Sequence, residues 1–363
     1  MMTNNMFYRI VIRIAFVVFW LVLIAAFVYF SPIQNLFFTP KKSISVATWA
    51  DYIDEGSVKE FESATGIKVY INFYENNEEL LSKMELTKSK TYDLVIPTDS
   101  SVDLLVKKGM LKKLDKSKLD FWNELDPRLL GHYYDPNNEY SIPYYWDVMG
   151  IGYDKGFFKQ PPTRSWALLF DKKVSPGHVG MTNDPREVIL IAAQYLFGNI
   201  HNLDDAKLEQ VKDLLLKQKA WVESYSDLRG EFLLYSKSSP VALIPSFQVW
   251  AGVRSGLFDN LGFLLPKNPF MVIDNVAIPK DSGDNELVYQ FINFLYQKKV
   301  LSINAERQGF FAARKDLLQE RDNSHMQGME DLSALDSFKS FRFFENVIST
   351  KDLNRIWLTV KAA

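Results

Sequence analysis

The chain after residue 42 begins with short apolar segments that alternate with amphipathic ones. Ser43–Thr48, Ile67–Phe73 and Tyr92–Pro97 are short apolar or alternating runs, which indicates buried strands. Asp54–Thr65 and Asn77–Leu86, which lie between them, place apolar residues at helical spacing. Strands that alternate with helices predict a parallel sheet with crossover helices. Ligands of such sheets bind beyond the carboxyl ends of the strands.

The loops that follow these three strands are therefore the first places to expect a ligand. They are predicted at Trp49–Tyr52, Tyr74–Asn77 and Thr98–Ser101.

A second α/β pattern runs from about Gly150 to Asp274. Its predicted elements are strands at Val179–Thr182 and Val241–Pro245 and helices at Arg186–Phe197 and Ala206–Trp221. A strand at Val276–Pro279 and a helix at Glu286–Tyr296 then indicate a return to the first sheet, and the tail ends in a helix around Ile356 and Trp357. Since no Gly/Ser linker separates the patterns, we expect a two-lobed α/β fold whose chain crosses between the lobes more than once. Lobe 1 is predicted over residues 43–147 and 274–318, and lobe 2 over residues 148–273 and 319–363.

The N-terminus carries an export pattern. Arg9 and Arg13 precede an uncharged, mostly apolar run, Ile14–Phe30, which is longer than a usual signal segment and lacks a clear small-residue cleavage site. An uncleaved anchor is therefore favoured over a removed signal peptide, with residues 1–40 forming this segment and a connector. Both interpretations place the remainder outside the cytoplasm.

Composition excludes several classes of protein. The formal net charge is −2 and no basic block is present, which argues against a nucleic-acid binder. The absence of cysteine excludes thiolate metal sites, Cys nucleophiles and disulfides. The four histidines lack metal-ligand spacing, and no phosphate loop, dinucleotide fingerprint or nucleophile elbow occurs. We therefore expect no catalytic residues, no metal and no cofactor; an exported enzyme on an α/β scaffold, such as a hydrolase with paired carboxylates, stays open as an alternative.

Nine segments keep a distinctive order and spacing between about Ser45 and Phe311. They are Thr48–Ile53, Phe61–Val69, Tyr74–Glu78, Tyr92–Thr98, Leu114–Leu119, Tyr140–Tyr144, Asp184–Val188, Ile273–Pro279 and Phe291–Leu295. Together they resemble the periplasmic spermidine/putrescine-binding proteins of bacterial ABC transporters. The resemblance implies a type II binding-protein fold with the ligand between two lobes, a polyamine as ligand, an ABC permease as partner and a monomeric receptor.

The resemblance also implies a set of ligand-binding residues. They are Trp49, Asp51 and Tyr52, then Thr98, Asp99 and Ser100, then Asp184, Glu187 and Asp274. A polyamine is a methylene chain that carries ammonium groups, so carboxylates are needed for its N–H donors and aromatic faces for its cations and methylenes. Glu187 and Asp274 are predicted to bind the ammonium groups, and Trp49 and Tyr52 are predicted to pack against the methylene chain.

Structural roles are open for several of these residues. Asp184 precedes Pro185 and a helix and can serve as its N-cap, and Glu187 lies in the first turn, where the helix dipole favours a carboxylate. Trp49 can cover the core at the end of a strand. The aromatic run Tyr144–Trp146 is interpreted as core or hinge packing rather than ligand contact.

The chain departs from the family pattern at aromatic positions. Pro245 and Val272 stand where the family has Trp, and Phe310 replaces a Tyr. Asp99 lies in a loop that is aromatic in the family, and it adds a third carboxylate, which suits a more highly charged or shorter amine. Phe247, Phe270 and Trp250 are candidate replacements for the lost rings. The function expected is the solute receptor of an importer; the alternative is a tethered polyamine sensor for a membrane signalling protein.

Overall fold

The structure is a computed structural model that describes residues 3–30, 42–87, 91–158, 160–226, 230–256, 258–283, 285–318, 326–327 and 337–363. The strands of these residues are β1 (Ser43–Thr48), β2 (Lys68–Phe73), β3 (Leu94–Val95), β4 (Ser141–Asp154), β5 (Val179–Thr182), β6 (Val222–Ser226), β7 (Val241–Pro245), β8 (Leu261–Leu264), β9 (Phe270–Ala277), β10 (Phe311–Ala312), β11 (Met326–Gln327) and β12 (Arg342–Phe343).

The α-helices are α1 (Thr3–Phe30), α2 (Glu55–Thr65), α3 (Asn77–Leu86), α4 (Asp99–Lys107), α5 (Ala167–Phe170), α6 (Pro185–Phe197), α7 (Asp205–Gln218), α8 (Glu231–Tyr235), α9 (Ser246–Arg254), α10 (Asn285–Leu295), α11 (Lys298–Gln308), α12 (Lys315–Leu318) and α13 (Thr350–Ala362). Short 3₁₀ turns lie at Lys116–Lys118, Trp122–Glu124, Pro127–Leu129, Lys219–Trp221 and Ser337–Ser340.

Local sequence signals account for the first βαβ unit. The Asp54 carboxylate accepts a hydrogen bond from the Ser57 amide and caps α2, and Gly66 ends the helix at φ 70°, a conformation that glycine adopts without strain. The chain then enters β2, which pairs in parallel with β1, and β3 pairs in parallel on the other side of β1. The predicted strands and helices of this region are confirmed, although the third strand is limited to Leu94–Val95.

The strands of the described residues form one mixed sheet. Its main order is β2-β1-β3-β9-β4-β7-β5-β6. β4 is buried along all 14 residues and pairs antiparallel with β9, β7 and β8. Because β4 and β9 are long enough to extend through both halves of the molecule, the two α/β patterns share one sheet. The predicted strand at Val276–Pro279 is only the end of β9, which begins at Phe270.

Two clusters of buried side chains form the cores. One surrounds β1, β3 and α10 and includes Val46 and Phe291. The other surrounds α6, α7 and α13 and includes Ile189 and Ile356. The C-terminal segment passes from one core to the other, since Phe341 belongs to the first cluster and Phe344 to the second.

The N-terminal run forms α1, and its described side chains between residues 12 and 27 are exposed. Among the residues described well enough to be searched, no helix combines the length and the hydropathy needed to cross a bilayer. The anchor proposed from the sequence stays a prediction.

Candidate ligand-binding site

Residues from three predicted segments meet where β1, β3 and β9 lie side by side. Tyr52, in the loop after β1, donates a hydrogen bond from its hydroxyl to Oδ2 of Asp274 over 2.8 Å. Thr98, just before α4, forms an isolated antiparallel bridge with Asp274. Trp49 is partly buried beside them. These four predicted residues therefore lie in one place.

Aromatic rings surround this meeting point. Ring centroids of Trp49 and Tyr74 lie 4.6 Å apart, and those of Tyr52 and Phe310 lie 4.9 Å apart. Phe247, at the start of α9, extends this group of rings, and its ring centroid lies 4.7 Å from that of Phe310. We call these five rings the aromatic box.

Asp274 is a buried acid with unused hydrogen-bonding capacity. It is 5% exposed, and its Oδ1 is buried without a hydrogen-bond partner within the described part of the chain. Burial raises the pKa of Asp274 to about 8; the Tyr52 hydroxyl opposes the rise, and the charges of Asp99 and Asp147 add to it. Since a buried carboxylate is costly without a partner, this environment favours a cation as the missing partner.

Asp99 is anchored inside the fold. Its Oδ2 accepts a hydrogen bond from the Tyr133 hydroxyl (2.8 Å) and its Oδ1 one from the Ile273 amide (3.3 Å). Burial raises its pKa to about 7, against the effect of these hydrogen bonds. One bond ties the start of α4 to the loop that contains Tyr133 and the other ties it to β9, and Asp99 influences Asp274 through its charge.

The predicted loop at Thr98–Ser101 is instead the first turn of a helix. α4 begins at Asp99, directly after Thr98, which adopts the extended conformation of an N-cap. The Thr98 hydroxyl donates to Oδ1 of Asn77 over 3.2 Å, which connects the starts of α3 and α4. The sequence signal for a loop was wrong because Asp99, Ser100 and Ser101 are also typical of a helix N-terminus.

Asp147 is a buried acid near Asp274 that the sequence did not single out. It lies in β4, is 7% exposed, and accepts hydrogen bonds from the Ser246 hydroxyl and from the Phe247 amide (3.2 Å). The sequence did contain a signal, because Asp147 is an acid within a long apolar strand, where a charge needs a partner. Tyr144–Trp146, which precede it in the strand, have fully buried side chains, as expected of core packing.

The second half contributes the N-terminus of α6. Asp184 caps this helix by accepting hydrogen bonds from the amides of Arg186 (2.8 Å) and Glu187 (3.1 Å). The N-cap role that the sequence left open for Asp184 is therefore observed. Although Asp184 is exposed as a whole residue, desolvation by nearby protein atoms raises the pKa of its carboxyl, the Glu187 amide opposes the rise, and Glu78 of α3 adds to it. Glu187 lies half-buried in the first turn.

Asn346 joins the two halves at this point. Its Nδ2 donates to the Ser100 carbonyl and to Oδ2 of Asp103, both over 2.9 Å, and its Oδ1 accepts from Arg186. The first turns of α4 and α6 are therefore connected through one side chain. Ser100 takes part through its backbone carbonyl.

Asp51 lies apart from the buried group. It is exposed, has φ 62°, and its carbonyl accepts a hydrogen bond from the Gln308 side chain over 3.0 Å. The structure thus places Asp51 at the surface beside the box.

The three candidate replacements for the missing family rings lie in different places. Phe247 belongs to the aromatic box. Phe270 instead stacks on Phe344 in the second core, with ring centroids 4.5 Å apart. Trp250 is covered by the Arg254 guanidinium, 5.0 Å from its ring centroid. Phe247 thus contacts the box through the ring of Phe310.

The described residues contain no group of three or more His, Asp or Glu side chains suited to a metal ion. The site is thus an arrangement of buried acids and aromatic rings, a chemistry suited to an organic cation.

Comparison with known proteins identifies the family of the chain. The model of a family described as bacterial extracellular solute-binding protein matches residues 56–328. A spermidine/putrescine-binding periplasmic protein of Escherichia coli is 32% identical over 280 residues, covering 76% of this chain and 80% of that protein. A putrescine-binding periplasmic protein of Pseudomonas aeruginosa is 33% identical over 278 residues, covering 72% and 75%.

A solved structure extends the similarity to the fold. The substrate-binding protein of a spermidine/putrescine ABC transporter from Streptococcus pneumoniae superposes with a TM-score of 0.75 at 22% identity, covering 89% of this chain and 99% of that one. The expected two-lobed α/β binding-protein fold is confirmed.

Proposed function

We propose that this chain, which belongs to the family of bacterial extracellular solute-binding proteins, is the periplasmic receptor of an ABC importer and binds a polyamine. Family membership makes it a binding protein and not an enzyme. The ligand class is inferred from Asp274, which is a buried carboxylate with an unpartnered oxygen beside the aromatic box. The relatives named for spermidine and putrescine support the same ligand class.

The box matches both parts of a polyamine. An ammonium group that donates to Asp274 forms a charge-assisted hydrogen bond, which is roughly twice as strong as a neutral one. Rings of Trp49, Tyr52 and Phe247 cover the adjacent methylenes, and a cation over such a face gains about 0.5–2 kcal/mol. The Tyr52 hydroxyl orients the Asp274 carboxylate, so that Oδ1 is left for the ligand.

The second ammonium group is assigned to the N-terminus of α6. Glu187 is its proposed partner, with Asp184 and Glu78 adding negative charge nearby. Acidic groups from both halves attract a cation toward the entrance and speed its association. Thr98 and Ser100 complete the proposed contacts at the start of α4, Asp99 acts through its charge, and Asp51 lies at the rim.

The proposal includes closure of two lobes around the ligand. Lobe 1 comprises residues 43–147 and 274–318, and lobe 2 residues 148–273 and 319–363. The first hydrophobic cluster also takes in Phe263 and Phe341 from the second of these sets, so the lobes adjoin over a packed region. The link between Asn346 and Asp103 supports a closed form in which α4 and α6 approach each other. A monomer in this form presents the surface that the permease recognises.

Calorimetry with the full chain tests the ligand class. Putrescine, cadaverine, spermidine and spermine are titrated at neutral pH, with a neutral diol of the same length as the control ligand. At least one amine is expected to bind, and Asp274→Asn is expected to abolish most of that binding because the amide cannot balance a cation. Absence of heat with all four amines at millimolar concentration would remove the polyamine assignment.

A further inference from the structure

The register of β4 and β9 brings two carboxylates onto the same face of the sheet. Tyr145 lies directly opposite Asp274, and Asp147 lies directly opposite Val272. Asp147 and Asp274 are therefore diagonal neighbours, whose Cβ atoms are about 7 Å apart in an antiparallel pair. The charge of Asp147 also raises the pKa of both Asp274 and Tyr52, in line with this proximity.

The start of α9 stabilises Asp147 as an anion. The Ser246 hydroxyl donates to Oδ1 and the Phe247 amide to Oδ2, and these are the first two residues of that helix. Helix N-termini favour negative charge through their free amides and their dipole.

A purely capping role is the simpler explanation for Asp147, and β4 contains an example of one. Asp154, at the end of the same strand, is 5% exposed and accepts hydrogen bonds from the Gly156 amide (2.8 Å) and the Asn260 side chain (2.9 Å). Asp154 is not among the groups that act on the pKa of Asp274, whereas Asp147 is. Capping therefore accounts for Asp154 but not for the placement of Asp147 beside a second buried acid.

We propose that Asp147 is a ligand-binding residue that forms, with Asp274, a paired-carboxylate subsite for a primary ammonium group. This inference rests on the proposed function and specifies how the ammonium group at Asp274 is bound. A nitrogen that makes hydrogen bonds of about 2.8 Å to both acids can join oxygens roughly 5 Å apart. A primary ammonium has three N–H donors and can satisfy both carboxylates at once. A quaternary ammonium has none, so it donates no hydrogen bond to either acid.

The small side chain opposite Asp147 is consistent with this subsite. Val272 stands on the strand position directly across from Asp147. Relative to the family pattern, an aromatic ring is missing at Val272 and a carboxylate is present beside that position. The inner end of the site thus recognises charge and N–H donors more than methylene surface.

The ionisable groups that act on Asp274 and its neighbours come from several elements. Tyr52 comes from the loop after β1, Tyr74 from the end of β2, and Asp99 from α4. Arg186 of α6 acts on Asp99, not directly on Asp274. The charged groups that act on Asp274, Asp99 and Asp147, are thus acidic, which favours a cation as the ligand.

Two experiments on the full chain test the subsite. In the first, Asp147→Asn is compared with wild type and with the matched control Asp154→Asn by calorimetry with putrescine. The asparagine still accepts the Phe247 amide, so the helix cap is retained. Asp147→Asn is expected to weaken binding at least tenfold, and Asp154→Asn to leave it within about twofold of wild type. Equal affinities of Asp147→Asn and wild type would overturn the subsite while leaving the proposed function intact.

The second experiment needs no variant and covers the case in which Asp147→Asn fails to fold. Wild-type protein is titrated with putrescine and with its analogues trimethylated at one or both nitrogens. Trimethylation of both ends is expected to reduce affinity at least a hundredfold, since no N–H donor remains. Retained affinity of the doubly trimethylated ligand would overturn the subsite. Failure of wild type to bind any amine would overturn both this inference and the proposed function.

Discussion

Binding of a cation at Asp274 should depend strongly on pH. Because the pKa of Asp274 is about 8 in the empty site, the carboxyl is mostly protonated at pH 6 and must lose its proton when an ammonium group binds. For one linked proton the affinity falls about tenfold for each pH unit below the pKa, so a loss of roughly a hundredfold is expected at pH 6 relative to alkaline pH. Alkylammonium groups themselves stay charged in this range.

The stability of the empty protein should follow the opposite trend. A carboxyl whose pKa is raised from 3.8 to about 8 binds its proton more tightly in the folded state. Stability therefore falls as pH rises from about 4 toward 8, and Asp99, with a pKa of about 7, acts in the same direction. Ligand stabilisation, in contrast, should grow with pH over the same interval.

Calorimetry and thermal melting between pH 6.0 and 8.5 check both trends. Proton release is measured by repeating the titration in buffers with different ionisation enthalpies, and Asp274→Asn serves as the control without an ionisable group at this position. Binding that is equally tight at pH 6.0 and 8.5, with no proton released, would refute the argument that Asp274 carries the cation.

Further predictions concern the box, the link between the halves and the core. Phe247→Ala should weaken polyamine binding about threefold to thirtyfold by removing one aromatic face; unchanged affinity in calorimetry would exclude Phe247 from the wall. Tyr52→Phe should weaken binding because Asp274 loses the hydroxyl that orients it, and an affinity equal to wild type would contradict that role. Asn346→Ala should reduce the closed population measured by small-angle scattering, with Thr359→Ala on the exposed face of α13 as the control; identical scattering curves would count against the link. Phe61→Ala should destabilise the first core by about 3–5 kcal/mol in chemical denaturation, and a loss below 1 kcal/mol would contradict the packing described.

Much of the local structure follows from the sequence because its signals are short-range. The Asp54 cap and the Gly66 stop define α2 within the segment itself, and Asp184 with Pro185 defines the start of α6. The same holds for the resemblance that selected Trp49, Tyr52 and Asp274, since those residues are identified by motif and position. Segments such as Thr98–Ser101 carry two compatible local signals, for a loop and for a helix start, and there the prediction was wrong.

The arrangement of the site depended on long-range pairing that no local pattern encodes. Only the register between β4 and β9 brings Asp147 beside Asp274, and only the packing of α9 places Phe247 in the box while Phe270 turns to the second core. Burial likewise decided that Asp274 is an acid of raised pKa with an unpartnered oxygen. The sequence by itself determined which side chains are available and which elements form; the tertiary structure decided which of them share one desolvated space, because desolvation and charge interactions depend on distances between residues far apart in the chain.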